Sequence, residues 1–508
     1  MFLLLAIAAL VGPLQAGPAL PEGLAPPEDD ENGHAAPDGP ALPEGLEGDE
    51  ARAGDGPALP EGIGGEEAQR DDAGPALPSG LEPETPKDAE PADAEAHDAG
   101  PTPMEWLNLT GFWEVRGGVR SQRDPHERAA SIGETRLQLE SQKTWEKITF
   151  TFRADFLYDP VLDHHTVRLN RGTGWLDLRE ASALLSPLDF LDVKVGRQVL
   201  TWGTGDLLFL NDLFPKDWQS FFVGRDVEYL KAPSDALKMS FFSPAANVDV
   251  VFVPQFDPDR FIRGRRLSYY NEQLGRRAGR DAIVHADEPD TWFADHEWHA
   301  RVYRNIEGTE LAAYGYWGRW KSPGGFDPAR RRATFPRLSV YGASARGQIA
   351  DGIGNIEAAY YHSRQDGDGD DPFVNNSQVR LLAGYKRDLV RVAPDLSVGL
   401  QYYVELMTQH DAYERTLPGG TPADDHARHV ITARVTKQLL NQNVTLSLFA
   451  YYSPSDSDAY LRPNVAYKID DHWTVELGGD VFVGAEDHTF FGQFERDSNI
   501  YTALRYGF

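Results

Sequence analysis

The sequence contains no cysteine, which excludes disulfides, thiolate metal sites and covalently attached c-type haem. Beyond the first 16 residues no apolar run is long enough for a spanning helix, so a helical membrane protein is excluded. Basic residues are scarce at the start. Residues 1–100 hold 23 Asp plus Glu against 3 Lys plus Arg, so 20 of the 30 net negative charges sit there. The rest of the chain carries 56 acids and 46 bases. Neither part suits nucleic acid as a partner.

What is present divides the 508 residues into three parts. Residues 1–16 begin Met-Phe-Leu-Leu-Leu-Ala-Ile-Ala-Ala-Leu-Val and end at Ala16, an apolar core of signal-peptide length without a basic leader. A signal peptide cleaved after Ala16 is expected. Residues 17–103 repeat Gly-Pro-Ala-Leu-Pro-Glu-Gly-Leu at 17–24 and 39–46, with variants at 56–63 and 74–81. Many prolines, many acids and few aromatics predict a disordered acidic Pro/Gly-rich linker. It reads as a solvated spacer, or as a set of short apolar islands that dock a periplasmic protein. The third part is 104–508.

There the texture is period-two alternation, the signature of a strand with two different faces. Ile148, Phe150, Phe152, Ala154 and Phe156 share one face, with Thr149, Thr151, Arg153 and Asp155 on the other. Val444–Tyr452 and Trp473–Val483 repeat the pattern. Strands are expected at 106–119, 131–142, 145–157, 174–185, 188–198, 226–242, 246–254, 296–304, 308–319, 336–347, 352–363, 377–386, 394–408, 426–437, 441–453, 457–468, 472–484 and 496–508. Short turns are expected at Lys143-Thr144, Ser186-Pro187, Ser243-Pro244-Ala245, Asn305-Ile306-Glu307 and Ile469-Asp470-Asp471. Between them lie long loops near 120–130, 158–173, 199–225, 255–295, 320–335, 364–376, 409–425 and 485–495. Long and short connections in alternation are the pattern of an up-and-down membrane barrel, which a soluble sandwich has no reason to adopt. The fold class is therefore all-β: a transmembrane antiparallel β-barrel of about 16–18 strands.

The last ten residues, Asn499 to Phe508, alternate Ile500, Thr502, Leu504 and Tyr506 with Tyr501, Ala503, Arg505 and Gly507, and end on Phe508. In this the chain resembles bacterial outer-membrane β-barrels. The resemblance implies that Tyr506 and Phe508 form the signal read by the barrel-assembly machinery, and that lipid and lipopolysaccharide surround the barrel of a Gram-negative outer membrane, with the tail in the periplasm. Val195-Gly-Arg-Gln-Val-Leu-Thr-Trp-Gly203 is similar to the alginate-export type of porin and related uncharacterised barrels. That likeness covers a short segment and does not carry a substrate over. Arg197 has outward parity unless the strand bends at Gly196.

The third long loop, Thr201 to Arg225, is too apolar to wave in water. Folding it into the lumen would bury much of its apolar surface, and in general porins the third loop forms the constriction. The expected constriction residues are Asp206, Leu208, Phe209, Asp212, Phe214, Lys216 and Trp218. The fourth loop is basic, with Arg260, Arg263, Arg265 and Arg266 among its arginines, and arginine binds carboxylate and phosphate in a bidentate manner. Parity aims Arg153, Arg179, Lys194, Arg380 and Arg434 at the lumen. These nine residues are the candidate solute contacts. Acids including Asp155, Asp177 and Glu476 point the same way, so a wet wall of both signs is the plainer reading.

Asp366-Gly-Asp-Gly-Asp-Asp371 resembles a calcium loop but lacks the downstream spacing of an EF-hand, so a solvated loop is expected. His296-Glu297-Trp298-His299 sets its histidines three apart, not the four of a zincin. No catalytic residue, metal or cofactor is expected. The sequence thus points to a porin-like channel for diffusion or export of hydrophilic solutes, anionic ones included. The alternative is a barrel that anchors or sheathes a periplasmic partner through the acidic repeats.

Overall fold

A computed structural model of the chain describes residues 106–162, 166–417 and 423–508. The expected signal peptide and acidic linker lie outside the described residues.

Eighteen antiparallel strands close one barrel. In chain order they are β1 (Leu109–Arg120), β2 (Ala130–Trp145), β3 (Ile148–Tyr158), β4 (Leu176–Leu188), β5 (Leu191–Val199), β6 (Pro233–Phe241), β7 (Asn247–Val253), β10 (Glu297–Ile306), β11 (Thr309–Arg319), β14 (Arg337–Ile349), β15 (Gly352–Ser363), β16 (Gln378–Asp388), β17 (Leu396–Met407), β18 (Ala427–Leu439), β19 (Val444–Ser453), β20 (Asp458–Lys468), β21 (Trp473–Gly484) and β22 (Asn499–Gly507). Each pairs with its neighbour, and β22 pairs with β1 through Trp113↔Tyr506 and Val119↔Ile500. Closure leaves no free edge, the condition a sheet must meet to cross lipid. Two small hairpins stand in the loops. One joins β8 (Tyr269–Asn271) to β9 (Arg276–Ala278), the other β12 (Gly325–Asp327) to β13 (Arg332–Thr334).

The two faces separate as the alternation requires. On β22 Ile500 is 57% exposed while its neighbour Tyr501 is 1% exposed. On β1 Trp113 and Val115 face out, while Glu114 and Arg116 are buried inside. Phe150, Phe152, Phe156, Trp298, Trp317, Tyr341, Tyr360, Leu381 and Ile431 continue the apolar exterior. Such a belt is costly in water and at home in hydrocarbon.

Four boundaries differ from the sequence reading. The turn placed at Asn305-Ile306-Glu307 is Glu307-Gly308, since Asn305↔Glu310 and Ile306↔Thr309 still pair. The turn placed at Lys143-Thr144 is Glu146-Lys147. Lys143↔Phe150 and Thr144↔Thr149 still pair, the two threonine hydroxyls meet at 3.0 Å, and Glu146 takes the left-handed conformation at φ 53°. The turn placed at Ser186-Pro187 falls after Leu188, which pairs with Leu191. Pro187 cannot donate to the ladder, and the register shifts between Leu185 and Leu188 rather than ending the strand. The strand expected over 226–242 begins at Pro233, because Val227–Leu230 forms a 3-10 turn whose first amides are capped by Asp226.

Candidate functional site

Residues 200–232 leave β5, cross the lumen and return to β6. Their apolar side chains explain the crossing. Leu207, Leu208, Leu210, Leu213, Phe214, Trp218, Phe221 and Phe222 are all buried. At about 1.5–3 kcal/mol for each large side chain withdrawn from water, the loop gains far more inside than outside.

Polar groups then fix where it lies. The loop starts against its own wall, where Trp202 meets Phe214 edge-on at 5.0 Å and both pack with Val251, Val253 and Tyr314. Its next turn reaches the far wall. The Glu357 carboxylate on β15 accepts from Gly205 N–H (2.8 Å), the Thr204 hydroxyl (2.9 Å), Asn211 Nδ2 (2.7 Å) and Thr204 N–H. Gln401 on β17 accepts from Asp206 N–H at 2.6 Å, and Arg434 Nε on β18 donates to Asp206 Oδ2 at 3.0 Å. The Tyr451 hydroxyl on β19 donates to Leu207 O at 3.0 Å, and that of Tyr361 on β15 to Leu210 O at 2.7 Å.

The returning half is seated as firmly. Lys216 Nζ bonds Asp212 Oδ1 at 3.0 Å and Phe214 O at 2.6 Å. Burial holds its ammonium below the usual lysine range, against the pull of Asp212 and Asp259. A one-turn helix, Trp218–Phe222, is capped by Asp217, whose Oδ1 accepts from Ser220 N–H at 2.8 Å. It drives Phe222 into Tyr460, Phe482 and Phe494 at ring separations of 5.2 to 5.4 Å. Arg116 on β1 donates to Gly224 O at 2.6 Å. Gly224 has φ +78°, and a Cβ there would stand 2.2 Å from the Tyr501 ring, so only glycine fits. Arg505 meets Asp226 at 3.2 Å, Tyr229 bonds Gln138 at 3.0 Å, and Arg136 lies 4.1 Å over the Tyr229 ring.

The expected constriction residues therefore come together. Leu208, Asp212, Phe214, Lys216 and Trp218 are buried in the crossing loop, Phe209 packs against the core, and Asp206 touches the far wall.

The nine basic candidates divide. Arg260 is buried between Asp177 (2.7 Å) and Asp217 (3.1 Å), Arg263 against Glu288, and Arg266 against Asp159 at 2.6 Å. Burial lowers the Arg263 guanidinium to about 10 even beside Glu288. These three arginines fasten loop to loop and loop to wall. Arg265 is half-buried among them. Arg179 donates to Lys231 O at 2.7 Å, and Arg380 pairs with Glu405 at 3.1 Å. Arg153 pairs with Glu140 at 2.8 Å, Lys194 stands 4.0 Å from Glu180, and Arg434 holds Asp206. Arg197, left open by the sequence, is buried. Gly196 takes φ +114°, and the guanidinium donates to Leu178 O (2.6 Å) and Leu169 O (2.8 Å) and pairs with Asp235.

Sequence reasoning missed the far-wall anchors Glu357, Gln401, Tyr361 and Tyr451. All stand at lumen parity on their strands. Their bulk and polarity were the available signal, but nothing local names their partners, about 150 to 240 residues away.

The outer mouth is partly covered. Ser268 donates to Asp497, Arg120 pairs with Asp497 at 3.0 Å, Arg280 with Glu127 at 3.0 Å, and Arg277 with Glu495 at 3.1 Å. Loops 121–129, 254–296 and 485–498 are thus tied together.

Closed barrel, apolar belt, asymmetric loops and a lumen-crossing third loop define a porin-like membrane β-barrel. No protein-family profile matches the sequence, and no curated protein matches it. Among solved structures, the chain is similar to Acinetobacter baumannii OccAB3, with 12% identity, 79% of this chain and 99% of that one covered, and a TM-score of 0.46. Pseudomonas aeruginosa OccD3 (OpdP) gives 10%, 79%, 91% and 0.43. Salmonella typhi OmpF, solved in complex with daunomycin, gives 9%, 79%, 97% and 0.38.

Proposed function

We propose that this chain is an outer-membrane channel that lets hydrophilic solutes cross by diffusion, small anions among them. The observation that carries the reading is the loop of residues 200–232, which narrows the lumen and is bonded to the opposite wall at Glu357, Gln401 and Arg434. A structure built only to anchor a partner has no need of a braced internal constriction.

Anions are included because of the wall that faces the loop. Lys194 on β5 and Lys238 on β6 are direct cross-strand partners, and like charges so placed repel. Each has only a distant carboxylate, Glu180 at 4.0 Å and Asp249 at 3.8 Å. An anion passing the lysine pair relieves their repulsion.

The test is single-channel conductance of the full chain in planar bilayers under a salt gradient. The expected result is a steady conductance with anion preference, moved toward cations in the Lys194→Glu, Lys238→Glu double variant. Absence of conductance in wild type would overturn the reading. The sheathing alternative through residues 17–103 would then take its place, and the loop ties across the outer mouth favour it.

A further inference from the structure

A furrow runs along the lipid-facing side of the wall, near the end with short turns and beside the entry into β1. Strand pairing accounts for it. Lys143 on β2 stands opposite Phe150 on β3, Phe150 opposite Ala183 on β4, and Ala183 opposite Val195 on β5. One row further from the turn, Ser141, Phe152 and Ala181 follow in the same order. Cross-strand neighbours on one face stand side by side. Two alanines therefore form a low floor, with the Phe150 and Phe152 rings on one bank and Val195 on the other. The space is about 490 Å³, within the range of roughly 300–1,000 Å³ that small-molecule sites occupy.

The segment leading into β1 lies across the near end. Ser141 Oγ donates to Leu107 O, Asn108 Nδ2 to Gln142 O at 3.2 Å, and Lys143 Nζ to Trp106 O at 2.6 Å. Leu107 and Lys143 thus join the lining. Trp106 and Trp145 are both exposed beside it. Exposed tryptophans at the end of a membrane barrel mark the level of the lipid headgroups.

Lys143 is the informative residue. Its stem follows the apolar wall, and its ammonium stands at that level, 5.1 Å from the centre of the Trp106 ring. The carbonyl of Trp106 takes one of its three donors. No carboxylate among the described residues pairs with it. A half-buried cation at the edge of hydrocarbon is unfavourable without an anion. The furrow behind it is apolar. A cation at headgroup level in front of an apolar trough is the complement of an amphiphilic anion.

We propose that this furrow holds one phospholipid of the periplasmic leaflet, its phosphate accepting from Lys143 and an acyl chain lying over Ala181 and Ala183. The inference rests on the barrel's place in a membrane, not on what passes through its lumen. Free phosphate would meet a single cation there, whereas a phospholipid also covers the apolar floor.

Native mass spectrometry of the full chain, released from detergent after incubation with phosphatidylglycerol, tests this without reference to conductance. One retained lipid per chain is expected. Ala183→Phe fills the floor, so retention should fall to the level of non-specific adducts. Lys143→Gln keeps the stem and removes the charge, and affinity should fall about fivefold, the effect of one lysine at an anionic membrane surface. Diacylglycerol, which has the chains and no phosphate, should bind wild type more weakly by about the same factor. Leu381→Phe changes an exposed residue on another part of the exterior and should retain lipid as wild type does. Heat-modifiable migration on gels verifies that each variant is folded. The proposal is overturned if wild type retains no lipid, or forms a dimer in its place. It is overturned equally if Ala183→Phe or Lys143→Gln retains phosphatidylglycerol as wild type does, if Leu381→Phe loses it, or if diacylglycerol is held as well.

Discussion

Glu357→Ala is the sharpest test of how the lumen-crossing loop is held. In the wild type one carboxylate serves four donors of the crossing loop: two backbone amides, a hydroxyl and a side-chain amide. Alanine strands them in a buried setting. Each unsatisfied buried donor costs about 1–3 kcal/mol, so the two backbone amides alone cost about 2–6 kcal/mol. At about 1.4 kcal/mol per factor of ten, that shifts the ratio of seated to released loop by roughly 30-fold to 10⁴-fold. The barrel itself is spared, since its ladder bonds are unchanged. Glu357→Ala should therefore keep its thermal unfolding midpoint but show larger, noisier single-channel conductance. Glu140→Ala is the control. It removes a lumenal acid that pairs with Arg153 on the wall and bonds nothing in the loop. Conductance and noise in Glu357→Ala indistinguishable from wild type would refute the claim that this carboxylate seats the crossing loop.

Gly224→Ala should lower the refolding yield and destabilise by about 1–3 kcal/mol, through backbone strain and collision with the Tyr501 ring, read as loss of the heat-modifiable band on gels. Removal of Phe508 deletes two backbone bonds to Gly111 and the ring beside Tyr506, so slower insertion into bilayers is expected, followed by the rate of acquired protease resistance. The outer cover should depend on pH. Burial raises Glu127 to about 7, with Asp497 adding to the rise, and burial raises Asp497 to about 6. Raised carboxyls stabilise the folded cover below their ordinary pKa of about 4.5 and 3.8, and that contribution is lost as pH rises through the folded values. Hydrogen exchange in residues 485–498, corrected for intrinsic rates, should show protection falling between about pH 4 and 7. Constant protection would refute it.

Much of this architecture was legible because a membrane barrel writes its rules locally. Phe150 and Phe152 against Thr151 and Arg153 already declare two faces, and the loop lengths declare two ends. The inward fold of the third loop followed from its own apolarity. What failed was whatever depended on a distant partner. Val227 and Tyr229 flank Glu228 in strand-like alternation, yet Asp226 caps a 3-10 turn there because Arg179 and Gln138 hold it inside the lumen. Lys143-Thr144 has the composition of a turn, yet it stays in the ladder opposite Phe150 and Thr149, with Lys143 Nζ donating to Trp106 O at 2.6 Å. Arg260, Arg263 and Arg266 read as a solute-facing cluster because the carboxylates that bury them, Asp177, Glu288 and Asp159, are remote in sequence or unremarkable in it.

The pairing of β1 with β22 sets a constraint in time as well as in space. Arg120 must wait for Asn499, and Phe112 for Gly507. Until that seam forms, both terminal strands carry open edges, each a template for aggregation. Seam formation also joins residues nearly 400 positions apart, and contacts so far apart in sequence form slowly. A chain that lacks only its last strand keeps its other hairpins yet cannot close. Closure is thus a built-in proofreading step, and whatever escorts the chain to the membrane must shield two edges rather than one.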